Sequence, residues 1–123
     1  LLGHKLLGVP TLLLRTKGRK SGEIRTTALI YLDDNNSKVV VASKAGDSKP
    51  PAWLLNLQAN PKVEYQLNRN RVAAVTEVIE RSHPDYERLW KEHNDRNAGR
   101  YDEYQSLTER PIPLVRLVPS VVG

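Results

Sequence analysis

"VVVASKAGDSKPPAWLLNLQANPKV", residues 39–63, runs from a strand into a short helix and back into a strand. The three valines favour an extended chain, and residues 38–44 read as one strand that gives way to small residues at Ser43, Ala45 and Gly46. Ser48 stands where a helix cap belongs, and Pro50 and Pro51 suit a first helical turn. Trp53, Leu54 and Leu57 share one face, and Pro61 stops the helix after Asn60, which gives a helix over residues 51–60. One short helix between strands is not the regular crossover pattern of a doubly wound parallel sheet.

Outward from this stretch the chain is mostly β. Upstream, residues 9–16 (VPTLLLRT) read as a strand covered on both faces, and residues 24–32 (IRTTALIYL) alternate as a second strand. The DDNNS cluster at 33–37 is a turn. Downstream, KVEYQLN and RVAAVTEVIE form two strands around Asn68, Arg69 and Asn70. Ser82 and Asp85 resemble a capping box ahead of a helix that puts Tyr86, Leu89, Trp90 and His93 at helical spacing. Residues 101–107 allow one or two further helical turns, and residues 111–118 supply a last strand. We therefore expect a single domain over residues 1–123. Its fold class is mainly β or α+β: a split barrel of about six mostly antiparallel strands with peripheral helices.

At 123 residues the chain suits one core rather than two lobes. It has no cysteine, which excludes disulfides, thiol nucleophiles and thiolate zinc sites, and its three histidines show no ligand spacing. No apolar run approaches the roughly 20 residues of a membrane span. The chain does not begin with methionine, so we expect it to be part of a longer protein whose amino-terminal segment lies outside this sequence. A net charge of +5 favours an acidic partner.

The charge concentrates in TKGRKSGEIRTT, residues 16–27. This is no Walker loop, because its glycine spacing is wrong and a strand rather than a helix follows it. An ordinary solvated turn carries such residues too. As an anion site it offers Arg19 as a forked donor, Lys20 as a point charge and Ser21 as a hydroxyl, with Gly18 and Gly22 free to expose backbone amides. The strand end at Ser43–Gly46 suits a flat ring lying close to the backbone. Asn56 places a polar side chain near the middle of the helix, one turn below Ala52.

Taken together, GRKSGEIRTTALIYL, VVVASKAGDSKPPAWLLNLQANPKV and YDEYQSLTERPIPLV resemble the deazaflavin-dependent nitroreductase and F420H2-dependent quinone reductase family, a branch of the split β-barrel flavin-binding proteins. The resemblance implies coenzyme F420 as cofactor, with its anionic phosphate and oligoglutamate tail at Arg19, Lys20 and Ser21. It places Arg25, Thr26, Thr27, Ala28, Leu29 and Ile30 along the coenzyme. Val41, Ala42, Ser43 and Lys44 then lie against the deazaflavin ring, with Ala52, Trp53, Leu54, Leu55 and Asn56 on the helix that completes the pocket. Tyr101, Tyr104 and Ser43 are the candidate catalytic residues, the tyrosines orienting or protonating the acceptor. The sequence departs from the nitroreductase branch at Ile30 and Ala98, where that branch has aromatic residues.

The activity implied is hydride transfer from the reduced deazaflavin to quinones or other electron-poor acceptors such as nitroaromatics and activated enones. That explains the lack of a nucleophile or acid–base dyad, since the coenzyme carries the hard chemistry. Rival readings are an FMN oxidoreductase on the same barrel, a non-catalytic F420 carrier and a basic nucleic-acid module. Against the last, the cations lack an interleaved row of exposed aromatic residues. We expect a small-molecule acceptor, no nucleic-acid partner and no metal. The expected location is cytoplasmic, with peripheral contact at the inner face of the membrane through the amino-terminal segment.

Overall fold

The computed structural model describes residues 5–6 and 9–120. Its strands are β1 (Lys5–Leu6), β2 (Val9–Lys17), β3 (Ile24–Ile30), β4 (Leu32–Asp34), β5 (Ser37–Val41), β6 (Lys62–Leu67), β7 (Asn70–Ile79) and β8 (Leu114–Pro119). The helices are α1 (Ala52–Ala59), α2 (Tyr86–Arg96) and α3 (Arg100–Ser106). All strand pairs are antiparallel, in the order β1-β2-β6-β7-β8-β5-β4 with β3 also on β2, and the sheet curls into a half-barrel. Among the described residues no helix is long and apolar enough to cross a membrane.

Two hydrophobic clusters lie on opposite faces of this sheet. Leu12, Leu14, Tyr65, Val40 and Val115 fill the concave side, which Trp53, Leu54 and Leu57 of α1 close. Val39, Val41, Leu114 and Ile79 meet Tyr86, Leu89 and Tyr101 of α2 and α3 on the other side. Successive residues of a strand point to opposite faces, so β5 and β8 are apolar without alternation because both of their faces are covered. β2 differs from the two-sided covering expected of it: Leu12 and Leu14 are fully buried, but Leu13 and Arg15 are only half-buried.

The stretch expected to be one strand over residues 24–32 breaks at Tyr31. β3 pairs with β2, whereas β4 pairs with β5, and between them the Tyr31 N–H bonds to the Pro10 carbonyl at 3.2 Å. The chain turns a corner from one side of the half-barrel to the other, which separates Tyr31 in the first cluster from Leu32 in the second. Two of the hairpin turns are the two-residue pairs Asn35-Asn36 and Asn68-Arg69, and Asn70 already pairs with Leu67. Asn35 (φ 57°) and Asn68 (φ 54°) take the left-handed conformation that asparagine tolerates best among non-glycine residues.

Two expected caps are absent. Pro51, not Ser48, stands at the α1 N-cap, with no side-chain cap. Asp85 stands at the α2 N-cap but makes no cap bond. Its carboxylate instead accepts from Arg116 at 2.8 Å, in a cluster where Arg116 also meets Asp34 and Glu77. A buried-edge guanidinium holding three carboxylates outcompetes one backbone amide for Asp85.

Candidate functional site

The basic turn, residues 18–23, is folded by its own backbone. Gly18 N–H bonds to Glu23 O at 2.7 Å and Gly22 N–H to Gly18 O at 2.9 Å, and Gly22 carries φ 75°. Ser21 Oγ accepts from Glu23 N–H. The turn is then fixed to α1 by Asn56. Its Oδ1 accepts from the Arg19 backbone N–H at 3.1 Å and from Arg19 Nη1 at 3.3 Å, while its Nδ2 donates to Thr16 Oγ1 at 3.3 Å. The buried polar residue in the middle of α1 is therefore an anchor for the cationic loop. Lys20 has no ion-pair partner among the described residues and is exposed, and Arg25 meets only Glu23, in an exposed pair at 3.5 Å.

The strand expected over residues 38–44 ends at Val41. Lys44, Ala45 and Gly46 follow with φ of 46°, 53° and 80°, three consecutive left-handed residues. For lysine and alanine this conformation costs about 1–2 kcal/mol each. The offset comes from Arg110, whose guanidinium donates to the carbonyls of Ala42 (3.2 Å), Ser43 (2.9 Å) and Asp47 (3.3 Å). Gly46 is obligatory here: besides its positive φ, a Cβ would stand 2.7 Å from the Tyr104 carbonyl oxygen.

Two cavities sharing Thr27, Ala52 and Trp53 as a common wall join these features. The first, about 470 Å³, is lined by Thr27, Ala28, Leu29, Ile30, Val41, Ser43, Lys44, Ala52, Trp53, Tyr101 and Tyr104 of the expected residues. The second, about 320 Å³, takes Arg19, Lys20, Ser21, Arg25 and Asn56 around Gly18. Thr26, Ala42, Leu54 and Leu55 line neither cavity. Thr26 is exposed, while Ala42 and Leu54 are buried in the concave core. Ala98 also lines neither; it is an exposed left-handed residue (φ 56°) between α2 and α3. Ala45, which belongs to the small-residue strand end, also lines the first cavity, as do Pro51 and Arg100, for which the sequence suggests no site role. A larger cavity of about 520 Å³, around Arg15, Lys17, Ile24 and Arg71, contains none of the expected residues and lacks small residues at its edge.

Tyr101 and Tyr104 reach the first cavity from α3, their rings 6.1 Å apart and edge to face. Asn94 of α2 fixes the start of α3 by accepting from Asp102 N–H at 2.8 Å, and Asp102 accepts from Trp90 Nε1. Burial pushes the Tyr101 hydroxyl up to about 12. Tyr101 thus keeps its proton at neutral pH. His93, fully buried behind it, donates from Nε2 to Val39 O, and burial pulls it down to about 4, so it is neutral.

The groove fits a flat ring joined to an anionic tail. Exposed Ala28, Ala45 and Ala52 leave backbone accessible at the first cavity, while Lys20, Ser21 and Arg25 gather donors at the second. No cluster of three or more histidine, cysteine or acidic residues suited to a metal occurs among the described residues.

Comparison with known proteins places the chain in a family. Residues 1–119 match the family model described as F420H(2)-dependent quinone reductase. The F420H(2)-dependent quinone reductase Rv1261c of Mycobacterium tuberculosis is 45% identical over 117 residues, covering 94% of this chain and 78% of that protein. Among solved structures, the F420-H2 dependent reductase FDR-A superposes with a TM-score of 0.76 at 34% identity, over 88% of this chain and 93% of that one. HutZ of Vibrio cholerae, at 18% identity and a TM-score of 0.73 over 90% of this chain and 82% of that one, shares the fold.

Proposed function

The chain belongs to the F420H(2)-dependent quinone reductase family, an F420-dependent group of oxidoreductases, and we propose from that premise how its groove is used. Lys20, Ser21 and Arg25 bind the phosphate and carboxylates of the coenzyme, and Arg19, held by Asn56, shapes the loop that presents them. Val41, Ser43, Lys44, Ala45 and Ala52 form the walls of the ring end. The acceptor, a quinone, enters beside Ile30, Tyr101 and Tyr104.

When bound, the reduced coenzyme supplies a hydride, and the quinone completes its reduction to the hydroquinone by gaining a proton. This chain supplies position and environment. Lys20 and Arg25 neutralise the tail's charge, and the alanines let a ring approach the backbone closely. Tyr101 offers a neutral hydroxyl to an acceptor oxygen, and the proton comes from solvent through the open side of the groove.

The observation that carries this reading is the shared wall of Thr27, Ala52 and Trp53, which joins the cationic turn to the small-residue edge. The test is oxidation of F420H2 by a soluble quinone, followed by return of the oxidised coenzyme's visible absorbance. Turnover that depends on both enzyme and quinone supports the reading; binding of F420 without turnover would make the chain a carrier.

A further inference from the structure

We propose that Arg110 is a positioning residue of the reductase, holding the left-handed turn at Lys44–Gly46 as a wall of the groove and coupling it to the helix that carries Tyr101 and Tyr104. The inference rests on the assignment of that wall to the coenzyme ring. Arg110 lines neither cavity of the groove and so acts only through what it holds.

The geometry of the turn requires such a partner. With Lys44, Ala45 and Gly46 left-handed, the carbonyls of Ala42, Ser43 and Asp47 converge on one side, and a single guanidinium fork donates to all three. A lysine ammonium, a point donor on a flexible stem, does not reproduce this planar fork. Arg110 is in turn fixed from α3. Gln105 Nε2 donates to the carbonyls of Arg110 (2.9 Å) and Thr108 (3.2 Å), and its Oε1 accepts from Ile112 N–H at 3.0 Å. Gln105 directly follows Tyr104, whose carbonyl oxygen lies against Gly46. The ring wall and the acceptor-side tyrosines therefore share one hydrogen-bonded support, so a displacement of one is felt by the other.

The test compares Arg110→Ala, Arg110→Lys and Arg116→Ala with the parent by three readouts: trypsin cleavage after Lys44, F420 affinity by fluorescence titration, and kcat against KM for the quinone. Arg116 belongs to the acidic cluster at Asp34, Glu77 and Asp85, away from the turn, and its loss controls for general destabilisation. With opening and closing fast relative to cleavage, cutting reports how often the turn opens. Arg110→Ala should be cut after Lys44 about tenfold faster or more and should bind F420 about fivefold more weakly or worse, a loss near 1 kcal/mol by the standard conversion. Its kcat should fall more than its quinone KM rises, and Arg110→Lys should restore little. Arg116→Ala should lower Tm while leaving cleavage after Lys44 and F420 affinity at parent values. Parent-like cleavage and affinity in Arg110→Ala, full rescue by Arg110→Lys, or equal cleavage in Arg116→Ala would overturn the proposal. Should Arg110→Ala fail to fold, Gln105→Ala carries the same readouts. If the parent itself does not bind F420, the reading of the groove fails, and cleavage alone decides whether Arg110 holds the turn.

Discussion

Replacing Asn56 by alanine separates an anchored cationic loop from a merely solvated one. Asn56 is buried, and the change removes its two contacts with Arg19 and its donation to the buried Thr16 hydroxyl. A net intramolecular hydrogen bond contributes about 0.5–1.5 kcal/mol, and the long Nη1 contact belongs at the low end, so two to three such bonds total about 2–3 kcal/mol of stability. The loss also frees Arg19 from α1 before the coenzyme arrives, while the turn keeps its own backbone bonds. Fixing one residue's backbone costs about 1–2 kcal/mol, so reordering Arg19 alone on binding raises the F420 Kd roughly 5- to 30-fold. The assay pairs urea unfolding with fluorescence titration of F420 at a temperature where both proteins are folded. A stability loss below about 0.5 kcal/mol together with unchanged affinity would refute the anchor. Lost stability with unchanged affinity would show that the turn is structural and does not meet the coenzyme.

Two further predictions concern the groove and a third the buried His93. Lys20→Ala should leave stability unchanged but weaken F420 binding more than about tenfold, with the loss shrinking as salt rises; parent-like binding would leave the turn merely solvated. Because Ile30 gives the first cavity an aliphatic wall, kcat/KM for a menadione-like quinone should exceed that for a bicyclic nitroimidazole by about tenfold or more, and Ile30→Tyr should narrow the ratio; comparable rates in the parent would remove Ile30 from substrate choice. For His93 the folded value near 4 lies below the unfolded 6.5, so the unfolded chain binds the extra proton between them. The stability it contributes is present above pH 6.5 and is lost as pH falls toward 4, on the order of 3 kcal/mol. Urea unfolding of the parent and His93→Gln across that window checks this, and identical pH slopes would contradict it.

Local rules made most of the framework legible in the sequence. The β-branched runs, the asparagine turns and Pro61 gave strands and helix ends, and the resemblance in three stretches gave the groove its residues. What stayed hidden depends on distant partners. Alternation says which residues share a face but not where a strand exchanges its neighbour, so it does not reveal the corner at Tyr31. The left-handed turn at Lys44–Gly46 looked like a strand end because the arginine that offsets its strain stands more than 60 residues away. The same holds for Asn56, whose partners Thr16 and Arg19 lie about 40 residues upstream. Ala98 is one of the two positions at which, by the resemblance, the nitroreductase branch has an aromatic residue. The α2–α3 turn leaves it exposed and outside the first cavity.

Parallel titration of the purified chain with F420 and with FMN, in the same buffer, tests the central claim most directly. The cationic turn joined to a small-residue ring wall predicts saturable F420 binding, tighter than FMN and weakened by salt. Equal or tighter binding of FMN would contradict the assignment of the groove to the deazaflavin coenzyme.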